Sequence, residues 1–163
     1  MTRLQLAAFH PDDATPLYEI LRDRDAMRYT YSAPSLEACS KRLSGWEQHR
    51  QGAGFAPWVV RVGEPGRIVG WGGLGVDPDD PAWGPEVIYA LHPDAWGKGY
   101  ASELVEHSLQ LAFSTLKLPH VDAFAHPDNA ASIAVLRKCG FSPVGYEPSL
   151  HRNRYRNHGP QLP

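Results

Sequence analysis

Two glycines, Gly97 and Gly99, stand between a segment with strand character and a long amphipathic one, and that junction restricts the chain more than any other stretch. The strand segment, Glu86-Val87-Ile88-Tyr89-Ala90-Leu91, is β-branched and aromatic and is closed by His92-Pro93. Beyond the glycines, Ala101, Leu104, Val105, Ser108, Leu109, Ala112 and Leu116 recur at three- and four-residue spacing, with Glu103, Glu106, His107 and Gln110 on the opposite face. A helix therefore starts at the glycines. Its N-terminus offers orphan N–H donors and about half a positive charge, and residues without Cβ let an anion approach them closely. Lys98 adds a cation. The alternative reading is a plain strand-to-helix turn.

Two familiar phosphate-binding patterns do not fit. A P-loop needs Ser or Thr after Gly-Lys, and here Gly99 follows Lys98. A dinucleotide fingerprint needs a third glycine and a later acidic residue in an early βαβ unit, and Gly97-x-Gly99 has neither.

The 163 residues suffice for one domain with its own core, and we expect a single domain over residues 2–160. A 42% hydrophobic and 21% charged composition is that of an ordinary soluble chain, with no apolar run long enough to span a bilayer. Met1 to Phe9 lacks the features of a signal peptide, so a cytoplasmic location without a membrane partner is expected. Cys39 and Cys139 form neither a metal-type pair nor a disulfide framework, and the eight histidines have no ligand spacing, so no metal is expected. A formal net charge of −2 gives no general attraction for nucleic acid.

Along the chain, Leu4 to Phe9 reads as a strand, and Asp12-Asp13 cap a helix running to about Arg22. Ser35 starts a second helix that Gly52-Ala53-Gly54 ends. Trp58–Val62 and Arg67–Leu74 form a hairpin, and Asp77 to Pro81 a solvated loop. After the glycine-led helix come a strand at Val121 to His126, a helix capped by Asp128 or Asn129 and ending at Gly140, a strand from Phe141 to Tyr146, and a ragged basic tail, His151 to His158. The five tryptophans are expected in the core or lining a groove. The fold class is α+β.

Two segments carry a resemblance. The first is Glu86-x-x-Tyr89-x-Leu91-x-Pro93-x-x-Trp96-Gly97-Lys98-Gly99-Tyr100-Ala101, followed by Ser102-Glu103. The second is Asn129-x-x-Ser132-x-x-x-Leu136-x-Lys138-Cys139-Gly140-Phe141-x-x-x-Gly145-Tyr146. In this order they resemble the GNAT superfamily of acyl-CoA-dependent N-acyltransferases, most of all its ribosomal-protein N-terminal acetyltransferase branch. The resemblance implies a central mixed, splayed β-sheet flanked by helices, a monomer or homodimer, and acetyl-CoA as co-substrate without a metal. It further implies pyrophosphate held by backbone amides of Gly97, Lys98, Gly99, Tyr100 and Ala101. Trp96 stands where the wider family has Gln or Arg, a familiar departure within this branch. The pantothenate arm would pair with backbone at Ala90 and Leu91, and an N–H near Leu91 would polarise the thioester.

The chemistry requires a neutral amine, a polarised carbonyl and a proton for the departing thiolate. The resemblance assigns Glu86 as the base. Many members use a Tyr as acid at the position of Leu136, which this chain lacks; Ser132, from the branch's Asn-x-x-Ser pattern, takes its place, with Asn129 both capping its helix and contacting pantetheine. The tail maps onto the family's last strand, beside the acceptor. The acceptor amine is either a protein or peptide N-terminus or a small molecule such as a polyamine, amino acid or antibiotic. A non-catalytic acyl-CoA sensor on the same fold is the alternative.

Overall fold

A strand that is apolar on both parities needs cover on both faces of its sheet, and the segment Pro85–Leu91 is one: Val87 and Leu91 join buried clusters on one side, Ile88 and Ala90 a cluster on the other. The computed structural model, which describes residues 2–160, supplies that cover. Seven strands, β1 (Leu4–Ala7), β2 (Trp58–Val62), β3 (Arg67–Val76), β4 (Pro85–Leu91), β5 (Val121–Ala125), β6 (Ser142–Glu147) and β7 (Arg152–Asn157), form one sheet in the order β1-β2-β3-β4-β5-β7-β6. Helices α1 (Ala14–Leu21) and α2 (Leu36–Ala53) bury Leu17, Leu43 and Trp46 against one face, with Val59 and Trp71. Helices α3 (Tyr100–Gln110) and α4 (Ala130–Lys138) cover the other, where Leu104, Val105 and Leu136 meet Val60, Leu74, Val87 and Val121.

Every neighbouring pair of strands is antiparallel except β4 and β5. These two run parallel, and their pairing is confined to Glu86 opposite Asp122. Both strands continue beyond that pair, β4 to Leu91 and β5 to Ala125, and they splay apart as they go. The expected α+β class and splayed mixed sheet are therefore present.

Local details differ from expectation. The first helix is entered through a 3₁₀ turn at Pro11–Asp13, where His10 accepts from Asp12 N and Asp13 completes the capping box by accepting from the His10 N–H at 3.0 Å; Asp13 then stands at the N-cap of α1, which starts at Ala14, without a side-chain cap bond to it. Asp13 also accepts from Arg61 at 2.6 Å. Helix α3 passes into a π-helical turn at Leu111–Thr115. The basic tail is β7, the strand joining β5 to β6. Glycine in β3 is a packing requirement: a Cβ on Gly75 would stand 2.6 Å from the Trp46 ring.

Candidate active site

Where β4 and β5 part, a groove of about 1140 Å³ runs through the sheet and is lined by all of Glu86 to Leu91 and by Ala123, Phe124 and Ala125. Because side chains alternate along a strand, the two faces of the sheet contribute different chemistry. Val87, Tyr89 and Leu91 face α3 and α4, whereas Glu86, Ile88 and Ala90 face α1 and α2.

On the α3 side, Gly97 and Gly99 adopt φ of +70° and +80°, which a side chain would strain. No protein atom lies within 4 Å of the place a Cβ on Gly97 would take. Gly99 caps α3 without a side-chain bond, so the first N–H donors of the helix have no capping side chain. Trp96 holds this turn to the end of β4 by donating from Nε1 to the Leu91 carbonyl at 2.8 Å. Trp96, Gly97, Gly99, Tyr100 and Ala101 line the groove together with Ala90, Leu91, Asn129 and Ser132; Lys98 does not.

The acidic residue in the first turn of α3 is taken up by β1. Burial pushes the Glu103 carboxyl up, but hydrogen bonds from the backbone and side chain of Arg3, from Thr2 and from the Leu4 N–H outweigh it and bring it to about 2. Arg3 also donates to the Lys98 carbonyl at 2.8 Å and sits over the Tyr100 ring. It was not among the expected site residues, because the contact spans 95 positions.

Asn129 caps α4 by accepting from the Ser132 N–H at 3.2 Å. That places the Ser132 hydroxyl 2.7 Å from the Tyr89 hydroxyl. Burial pushes the Tyr89 phenol up to about 12, against a lowering hydrogen bond with Ser132, so it stays protonated at neutral pH. Leu136, where a tyrosine would stand in many relatives, is 1% exposed and belongs to the core.

On the α1–α2 side, two carboxyls face each other in register and differ in state. Asp122 is fully buried and accepts from Arg154 Nε at 2.8 Å and Arg156 Nε at 2.7 Å. Burial raises its pKa, but these two arginines overcome that and hold it below the usual carboxylate range. Glu86 is 7% exposed, and its Oε2 has no hydrogen-bond partner among the described residues. Burial first, then the Asp77 charge, push its carboxyl up to about 8; Arg152 and Arg42 pull the other way, and Asp122 adds a small upward push. Two adjacent carboxyls with their pKa values driven apart have the character of a site rather than of a scaffold. Asp77, Asp79 and Asp80, expected in a solvated loop, line the groove beside Trp83. Cys39 and Cys139 are free thiols, and no cluster of three or more metal-ligating side chains occurs among the described residues. No helix among them is long and apolar enough to cross a membrane.

The glycine turn, the uncapped helix end and the unpaired half of β4 fit the phosphates and extended arm of an acyl-CoA. Comparison with known proteins agrees. Residues 3–142 match the family model described as an acetyltransferase (GNAT) domain. The chain is 26% identical over 148 residues to an uncharacterized N-acetyltransferase, p20, of Bacillus licheniformis, covering 88% of this chain and 81% of that protein. An acetyltransferase from Agrobacterium tumefaciens has the same fold, with a TM-score of 0.80 at 23% identity over 96% of this chain and 91% of its own. So do ribosomal-protein-S5-alanine acetyltransferase of Vibrio fischeri (TM-score 0.78, 17% identity, 98% and 94% covered) and spermidine N-acetyltransferase of Vibrio cholerae, solved with CoA and spermine (0.72, 18%, 94% and 93%). The chain belongs to the GNAT acetyltransferase family and is an N-acetyltransferase. These findings support an enzyme over a non-catalytic sensor, and the ribosomal-protein branch is one neighbour among several.

Proposed function

We propose that this enzyme transfers the acetyl group of acetyl-CoA to the primary amine of an acceptor that enters from the α1–α2 face, with Glu86 as base and Ser132 as acid. The observation that carries the reading is Glu86: a buried carboxyl with an unpartnered oxygen, at the point where β4 and β5 separate. A carboxyl at about 8 is poised to exchange a proton near neutral pH. An arriving ammonium offsets its burial and draws it toward ionisation; Glu86 then takes one ammonium proton and releases it to water.

Bound acetyl-CoA supplies the thioester, whose C–S bond gives way as the C–N bond forms. Backbone of Gly97, Gly99, Tyr100 and Ala101 holds the phosphates, and the free edge of Ala90 and Leu91 receives the pantetheine arm, with Asn129 beside it. Lys98 contributes charge from outside the groove. Ser132 gives its hydroxyl proton to the departing sulfur and recovers one through Tyr89, while the nitrogen sheds its second proton to water. The sum is an amide, a thiol and one released proton. The acetyl group passes directly from the thioester to the amine, without a covalent enzyme intermediate.

The resemblance to the ribosomal-protein branch rests on Asn129 and Ser132, and the acceptors in the names of structural neighbours include both a ribosomal protein and spermidine. The test is thiol release from acetyl-CoA with a panel of peptides, polyamines and amino acids. We expect turnover with at least one amine and loss of it in Glu86→Gln at neutral pH. Tight CoA binding with no turnover of any amine would refute the reading.

A further inference from the structure

The acceptor half of the groove contains two arginines that form no ion pair among the described residues. On β7, Arg152, Arg154 and Arg156 alternate with Asn153, Tyr155 and Asn157, so the three share the sheet face that carries Glu86 and Asp122. Arg154 and Arg156 are both committed to Asp122. Arg152 lies past the last residue of β5, since Ala125 pairs with Asn153, and it lines the groove. Its opposite in β6, Glu147, has its carboxylate on the Ser149 hydroxyl at 2.7 Å and the Ser149 N–H.

From the other wall, α2 presents Arg42, stacked 4.2 Å over the Tyr31 ring and also lining the groove. Among the described residues neither Arg42 nor Arg152 forms an ion pair, whereas Arg3, Arg50, Arg61, Arg154 and Arg156 all do. Burial pulls the Arg152 guanidinium down, Glu86 pulls it back up and the Arg42 charge pulls it down again, so the two cations share one electrostatic neighbourhood with Glu86. Partly buried guanidiniums beside an acid that burial keeps largely protonated are costly unless a ligand supplies the anion. Asp77, which also lines the groove, supplies a negative charge near Glu86 instead.

We propose that the acceptor is zwitterionic: an α-amino acid or close analogue, with its ammonium between Glu86 and Asp77 and its carboxylate on Arg42 and Arg152. This rests on the acetyltransferase reading above and narrows its acceptor. A polyamine presents a second cation where the arginines lie. A long peptide carries its terminal carboxylate away from its reacting amine.

The test measures initial rates of thiol release from acetyl-CoA with the common L-amino acids, each beside its α-carboxamide, and with spermine and an alanyl peptide amide as carboxylate-free amines. We expect the best amino acid to exceed its carboxamide in kcat/KM by about 10- to 100-fold, the worth of charged hydrogen bonds. In Arg42→Met and Arg152→Met that ratio should collapse, chiefly through KM. Calorimetric titration of the same amino acid into CoA-saturated protein should show a matching loss of affinity in both variants. Equal rates for acid and amide, a ratio that survives in both variants, or turnover of only spermine or the peptide would overturn the proposal while sparing the acetyltransferase reading. Preference for succinyl-CoA over acetyl-CoA would overturn it too, by assigning the arginines to the acyl chain. No turnover with any amine would overturn that reading and the proposal together.

Discussion

Replacing Glu86 by Gln should make the protein more stable at alkaline pH while removing the proposed base. The fold holds this carboxyl at about 8 against its ordinary 4.5, chiefly by burial. A carboxyl whose folded pKa is raised favours the fold when protonated, so its stabilising balance is whole below the ordinary value and is lost as pH rises through about 8. At about 1.4 kcal/mol per tenfold, ionisation in place costs about 1 kcal/mol at pH 5, about 3 at pH 7 and approaching about 5 at pH 9. Glutamine avoids that cost but leaves an amide without a partner, about 1–3 kcal/mol at every pH. The difference in Tm between Glu86→Gln and the parent should therefore climb by roughly 8–16 °C from pH 5 to pH 9, taking about 2–4 °C per kcal/mol for a chain of this size. Thermal unfolding by circular dichroism without CoA measures it. The same variant should lose kcat/KM most near neutral pH and recover part of it as the acceptor amine deprotonates in solution. A Tm difference constant across the range would refute the argument, because it would mean that Glu86 does not titrate in a desolvated place.

Three further outcomes are expected. Gly97→Val, forced to φ of +70° in space where the protein has no atom, should weaken acetyl-CoA binding about tenfold or more in calorimetry, and unchanged affinity in a folded variant would remove the turn from the site. Ser132→Ala should lower kcat by about 10- to 1000-fold with CoA affinity kept, Tyr89→Phe by less, and the double variant no further than Ser132→Ala; multiplying losses would show that the two hydroxyls do not act in series. Asp122→Asn should cost about 3–5 kcal/mol in urea unfolding by leaving Arg154 and Arg156 without their anion, and the parent's advantage should shrink as pH falls, since this carboxyl is held low.

Much of the fold was legible because its signals are local. The β-branched and aromatic runs Trp58–Val62 and Glu86–Leu91, the three- and four-residue spacing after Gly99, and the Asn129 cap each need only a few consecutive residues. The misread places depend on distant partners. Asp12 and Asp13 have the composition of a helix cap, and Asp13 shares a capping box with His10, yet its other oxygen is drawn to Arg61, 48 positions away. The tail has the composition of a basic cluster, and only the resemblance marked it as a strand; in β7 Arg154 and Arg156 stand two apart because one face must neutralise Asp122. A usable signal was present: a lone carboxylate in the apolar run Val-Asp-Ala-Phe-Ala cannot stay buried unpaired, so some cation elsewhere had to reach it.

The site divides in the same way. The glycine turn could be read from the residues alone, whereas Tyr89 was visible only as part of a pattern, its partner Ser132 lying 43 positions on. What joins the pieces is strand parity. Odd-numbered residues of β4 face the helices that hold the turn and Ser132, and even-numbered ones face Arg42 and the acceptor wall. An intact sheet would keep these two chemistries apart. Pairing between β4 and β5 stops at Glu86 and Asp122, so the groove opens beside the one carboxyl of that pair that no arginine hydrogen-bonds, and the proposed base on one face can meet the proposed acid held on the other.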